Sequence, residues 1–216
     1  MMKNLFLLGD SIRMGYQAAV KEKLAGKMNV YFPDDNGRFA QYTLRKVGDW
    51  AARLELRDVH VVHWNNGLWD VLHLPLGRAL SDEEAAGLTA KPGVPGSGHR
   101  YEAEPLTPPD MYRYMLKRVH TRLRNLFPAA EIVFATTTPI DEAQIGAFYR
   151  SNEEVGQYNQ IARDLLQPLG VRINELGDFA AAHCESFHRD WVHYNDAGSD
   201  LLAGEIAGFL EKEGLL

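Results

Sequence analysis

Short apolar runs alternate along this chain with longer segments whose apolar residues recur at helical spacing. Residues 4–8 form a compact apolar run. Residues 11–24 follow, with Ile12, Tyr16, Ala19, Val20 and Leu24 on one helical face. Residues 28–32 are a second strand candidate, stopped by the turn formers Pro33-Asp34-Asp35-Asn36-Gly37. Residues 42–56 read as a helix. Residues 59–64 read as a third strand, ended by Asn65-Asn66-Gly67. After Pro108-Pro109-Asp110, a helix start signal, residues 111–127 read as a long helix. A β-branched and aromatic strand over 131–136, a helix over 152–166 and a short strand over 171–173 complete the alternation. A final helix covers 195–210, with Asn195 or Asp196 at its cap.

Strands alternating with helices of this length predict a parallel sheet covered by helices on both faces. The expected fold is one α/β domain over residues 1–216, in three layers around a doubly wound, mostly parallel, five-stranded sheet. The crevice of such a sheet lies outside the carboxyl ends of its strands. The chemistry is therefore sought in Gly9-Asp10-Ser11, Asn36-Gly37, residues 65–70, residues 136–141 and the loop before the last helix. One segment breaks the rhythm. Residues 74–107 are rich in Gly and Pro and longer than an ordinary connection. They read as a surface insertion or as a substrate-side lid, with one short helix over 81–87.

Composition narrows the classes. The 216 residues carry 23 Lys+Arg against 29 Asp+Glu, a net charge of −6, and 45% are hydrophobic. That apolar fraction supports a packed core and excludes a disordered chain. The acidic balance argues against nucleic acid as a partner. The single cysteine, Cys184, forms no internal disulfide and reads as a small buried apolar residue. No apolar run approaches the ~18–20 residues of a membrane span. The apolar start stops at Gly9-Asp10, too early for a secretory signal. A cytoplasmic protein with no membrane partner is expected.

Two short strings carry the chemistry. In Gly9-Asp10-Ser11 a serine follows an apolar strand and opens a helix, where unpaired backbone N–H groups favour developing negative charge. In Asp190-Trp191-Val192-His193 a carboxylate three residues before a histidine can accept the Nδ1 proton and leave Nε2 as a base. Each alone is also explained by helix capping. Together they form a nucleophile, base and orienter set, because strand-end loops share one rim. No G-x-S-x-G elbow occurs, so the ordinary α/β-hydrolase arrangement is not supported.

These blocks resemble the SGNH hydrolases, also called the GDSL esterase/lipase family. The resemblance implies a flavodoxin-like three-layer fold and hydrolysis of a small-molecule ester without a cofactor. It assigns Ser11 as nucleophile, His193 as base and Asp190 as its orienter. It also implies an oxyanion hole built from the Ser11 backbone N–H, the Gly37 N–H and an asparagine side chain. The family's third block, Gly-x-Asn-Asp, is irregular here. Read as Gly67-Leu68-Trp69-Asp70 it puts tryptophan in the asparagine position. The donor is then Asn65 or Asn66, and Asn65, first after the strand, is preferred. Trp69 and Trp191 are the expected substrate-binding aromatics, among loop aromatics that otherwise plug the core, and they tilt the expected substrate toward a small acyl group on a carbohydrate. Arg13 is expected to be solvated.

Two other readings remain open. One is a binding module that keeps the fold with its triad unused. The other is a metal-dependent hydrolase using His183, His188 and His193, although their spacing matches no closed zinc motif. His60 and His63 should point to opposite faces of one strand.

Overall fold

The computed structural model describes residues 2–78, 81, 101–144 and 148–216. Strand β1 is Lys3–Leu8, and Leu5 to Leu8 are fully buried. Leu5 and Leu7 enter one core while Phe6 and Leu8 enter the other, as alternate strand positions must. A strand covered on both faces needs an unbroken apolar run, and this one has it. With β2 (Met28–Tyr31), β3 (Val61–Trp64), β4 (Glu131–Ala135) and β5 (Arg172–Asn174) it forms an all-parallel sheet of order β2-β1-β3-β4-β5. This is the doubly wound α/β fold expected from the alternation.

Among the described residues six α-helices cover the sheet. Helices α2 (Ala40–Arg53), α3 (Pro109–Leu126) and α4 (Asn152–Leu166) bury Val47, Trp50, Leu116, Val119 and Ala162 against Phe6, Val62 and Phe134. Helices α1 (Ser11–Lys23), α5 (Leu176–His183) and α6 (Asp196–Lys212) bury Tyr16, Val20, Ala180, Leu202 and Ile206 against Leu5, Leu7 and Val133. Cys184 is buried in this second core.

Element ends moved where tertiary contacts replaced local signals. Helix α2 starts two residues earlier than its pattern predicts. Its cap position, Phe39, supplies no side-chain bond. Instead the Ala40 N–H donates to the carboxylate of Asp70, at 3.0 and 3.2 Å, from the loop after β3. A distant carboxylate satisfies the helix start, and no local sequence signal could mark it.

The ends of the long segment 74–107 lie side by side. Glu102 N–H donates to Leu74 O at 2.8 Å, Leu106 N–H to Leu72 O at 2.7 Å and Thr107 N–H to Asp70 O at 3.0 Å. His73 fastens this base, bonding Glu102 O through Nδ1 and the Glu154 carboxylate through Nε2 at 2.7 Å. Most of the expected lid, and the expected helix over 81–87 apart from its first residue, fall outside the described residues. Among the described residues no helix is long and apolar enough to cross a membrane.

Candidate active site

The register places the site. Leu8 pairs with Trp64 and Phe6 with Tyr31, so the loops after β1, β2 and β3 leave the sheet at one rim. The chain steps from β1 outward to β2 and then to the other side at β3, which makes this rim the topological switch point.

Ser11 is the first residue of α1, and the side chain of Asp10 caps the helix by accepting from Ile12 N–H at 2.9 Å. So Asp10, not Ser11, does the capping, and the serine hydroxyl is left for another partner. That partner is His193, whose Nε2 lies 2.8 Å from Ser11 Oγ. On the other side of the ring, Nδ1 lies 3.0 and 2.9 Å from the two carboxylate oxygens of Asp190. The carboxylate can only accept, so the proton sits on Nδ1, and Nε2 accepts from the serine. Ser11 and His193 stand 182 residues apart in sequence.

The loop that carries Asp190 and His193 is held largely by itself. One Asp190 oxygen also accepts from the backbone N–H groups of Val192 and His193, at 3.0 and 2.8 Å. Arg189 N–H donates back to His193 O at 2.7 Å, and Asn195 N–H to Phe187 O at 2.9 Å. Asn195 then caps α6, accepting from Gly198 N–H. Partial burial pushes the Asp190 carboxyl up, but the two backbone N–H groups and the His193 ring outweigh it, and the group is held below the usual carboxylate range.

The two asparagines after β3 have separate tasks. Asn66 is completely buried, donates to Arg38 O at 2.9 Å and Thr43 Oγ1 at 3.1 Å, and accepts from Trp64 Nε1 at 2.7 Å. It ties β3 to the loop after β2. Asn65 keeps 8% exposure, and its amide donates to Ala135 O at 2.8 Å, with Thr137 Oγ1 at 3.4 Å. One amide proton is fixed to the end of β4, and the other has only the long contact. Gly37 departs from expectation. Its N–H donates to Gly9 O at 2.9 Å, so it is already engaged rather than offered to the site. The backbones meet so closely that a Cβ on Gly37 would lie 2.5 Å from Gly9 O. The Ser11 N–H, first in its helix, has no intrahelical acceptor.

Other expectations fare unevenly. Arg13 is not solvated: it is 1% exposed and donates to Gln17, to Pro33 O at 2.9 Å and to Asp35 O at 2.5 Å. It locks α1 to the loop after β2, a demand set by that loop's carbonyls and invisible locally. Asp70 caps α2 from 30 residues away, and burial pushes its carboxyl up to about 7. Trp69 is half-buried in the turn after β3, and Trp191 is half-buried in the loop of Asp190 and His193. Trp64 is a core residue, edge-on to Phe134. Among the described residues no three His, Cys, Asp or Glu side chains gather as metal ligands. His188 bonds Glu185 O and Pro139 O and stacks on Tyr194, while His183 packs on Phe179. His60 precedes β3 and accepts from Asn4 N–H, whereas His63 is fully buried beside Asn174.

The sequence reading missed Arg150. It is 7% exposed, donates through Nε to Leu68 O at 2.5 Å, and lies with its guanidinium carbon 4.8 Å over the Trp191 ring. Nothing periodic marks it; it stands in the irregular stretch before α4.

No family model matches the sequence, and no curated protein matches it either. Solved structures do match. A lipase/acylhydrolase from Enterococcus faecalis superposes with a TM-score of 0.63 at 13% identity, over 98% of this chain and 97% of that one. An acetyl xylan esterase gives 0.64 at 17% identity, over 96% and 99%. A member of the lipolytic G-D-S-L family from Veillonella parvula gives 0.64 at 15% identity, over 97% and 99%. This chain therefore has the fold of the SGNH (GDSL) hydrolases, end to end.

Proposed function

We propose that this protein is a serine esterase in which Ser11, His193 and Asp190 act as a catalytic triad. The observation that carries the reading is the continuous hydrogen-bonded chain from Ser11 Oγ through His193 to Asp190 at the switch point of the sheet. Ser11 Oγ attacks the acyl carbon while its proton passes to His193 Nε2. Asp190 holds the ring and stabilises the imidazolium. The tetrahedral oxyanion takes the Ser11 N–H and the Asn65 amide. Gly37 positions Gly9, and its N–H would reach the oxyanion only by leaving Gly9 O. Collapse expels the alcohol, protonated by His193. Water, deprotonated by the same nitrogen, then releases the acid and restores Ser11.

The carbohydrate ester suggested by the loop aromatics is supported by one similar structure being an acetyl xylan esterase. The reading is tested by hydrolysis of 4-nitrophenyl acetate and by labelling with a fluorophosphonate. Wild-type protein turns over the ester and is labelled at Ser11, and Ser11→Ala does neither. Unchanged hydrolysis by Ser11→Ala would remove the triad assignment, whereas no hydrolysis by the wild type would favour a binding module on this fold.

A further inference from the structure

Arg150 is a buried cation that ester hydrolysis does not require. Removing a guanidinium from water is costly unless an anion or several acceptors meet it. Arg13 solves this problem within the chain, spending its guanidinium on Gln17, Pro33 O and Asp35 O. Arg150 does not. Only its Nε donates, to Leu68 O, and no carboxylate of the described residues lies within ion-pair distance. Its two terminal nitrogens donate to no described residue, yet they are not among the sealed, unpartnered polar atoms. The little exposure the residue keeps therefore belongs partly to them.

Three neighbours fix where that end of the side chain faces. Leu68 is three residues beyond Asn65, Trp191 lies between Asp190 and His193, and Asp10, adjacent to Ser11, is the charge that acts on Arg150. The guanidinium is thus held against the loop after β3 and the loop of Asp190 and His193, and it feels the charge of Asp10 in the loop after β1. Burial pulls its pKa down to about 10, with Asp10 opposing, so it stays charged at neutral pH. The planar fork suits a carboxylate or phosphate in bidentate geometry.

We propose that Arg150 is an anion-recognition residue of the ester site, so that the substrate carries a carboxylate or a phosphate close to its scissile ester. The inference rests on the esterase reading for its substrate but not for its binding chemistry. It also revises the part of Trp191. One face of that ring supports the guanidinium, so it serves Arg150 rather than stacking on a sugar with that face.

The test uses the full-length Ser11→Ala protein, which separates binding from turnover. Calorimetry with succinate, inorganic phosphate and the neutral succinamide should show binding of one anion in the micromolar to millimolar range and none of the amide. The anion that binds identifies the source of the charge. Adding Arg150→Gln should weaken that binding at least tenfold, and Arg150→Lys, which keeps the charge but loses the fork, by less. In wild-type enzyme the same anion should inhibit 4-nitrophenyl acetate hydrolysis competitively. Failure of both anions to bind the Ser11→Ala protein overturns the proposal, as does binding that survives Arg150→Gln or inhibition that is not competitive. Should Arg150→Gln fail to fold, the Ser11→Ala binding and wild-type competition results still decide. Absence of ester hydrolysis in wild type would instead count against the esterase reading, and the calorimetry would stand apart from it.

Discussion

The two halves of the site are held in different ways. His193 and Asp190, the proposed base and its orienter, sit on a loop held mainly by local bonds, Asp190 to Val192 and His193, Arg189 to His193 and Asn195 to Phe187, with longer ties from Trp191 O to Asp141 and from His188 and Tyr194 to Pro139 O. The side of Ser11, the proposed nucleophile, is held from afar. Asn65 reaches Ala135, Asn66 reaches Arg38 and Thr43, Gly37 reaches Gly9, and Asp70 caps α2. A locally held loop can lose a catalytic group without loosening the sheet. A rim built from long-range bonds cannot, because each bond also fastens a strand end to its neighbour. The contrast predicts that substitutions in the first half damage activity alone, and those in the second damage activity and stability together.

The largest effects should fall on the proposed triad. Ser11→Ala should reduce kcat on 4-nitrophenyl acetate by roughly 10⁴–10⁶-fold, with an unchanged melting profile. Asp190→Asn should cost about 10⁴-fold in kcat, because the carboxamide no longer enforces the Nδ1–H tautomer. Its melting temperature should stay close to wild type; a large drop would mean that the loop is not self-held. Asn65→Ala tests the other half at its catalytic end. It should lower kcat by about 10²–10³-fold and also lower stability, since Ala135 O loses its donor. Asn66→Ala should destabilise by about 1–3 kcal/mol, since Trp64 Nε1 and Thr43 Oγ1 are left with one partner fewer in the interior. Denaturant titration reads this directly, and a variant as stable as wild type would refute the long-range half of the comparison.

The smallest effect is a dependence on pH. Burial depresses the His63 imidazole to about 4 against an ordinary value of 6.5. The folded state holds it neutral, so its stabilisation is complete above about pH 6.5 and lost as pH falls toward 4. The window corresponds to about 3 kcal/mol at most. Asp70, raised to about 7, runs the other way, its folded form gaining relative stability as pH falls below that value. Wild type should therefore show a shallow acid slope, and His63→Gln should gain stability relative to wild type between pH 6.5 and 4. Parallel curves for the two proteins would contradict the burial argument.

Much of this was written in the local sequence. The short apolar runs and the period-3.6 patterns located all five strands and the long helices, because burial on two faces or one leaves a direct trace in residue order. Ser11 and the Asp190–His193 pair were legible for a similar reason: each is defined by its immediate neighbours, a strand end and a three-residue reach. The distinction between Asn65 and Asn66 was only half legible. Order after the strand favoured Asn65, while the bonds that occupy the Asn66 amide, to Arg38 and Thr43, come from residues more than 20 positions away.

What the residue order determined by itself was the layered α/β architecture and the chemical types at the two ends of the chain. What only the tertiary structure decided was how the interior polar groups are matched. Arg13, expected in solvent, became a buried clamp. Asp70 became a helix cap, and Gly37 spent its N–H on Gly9. Arg150, unmarked in sequence, came to lie over Trp191. The physical reason is common to all four. A buried donor or acceptor must find a partner wherever the fold brings one. The chain's neighbours in space, not those in sequence, settle which polar atoms are consumed and which remain for a substrate.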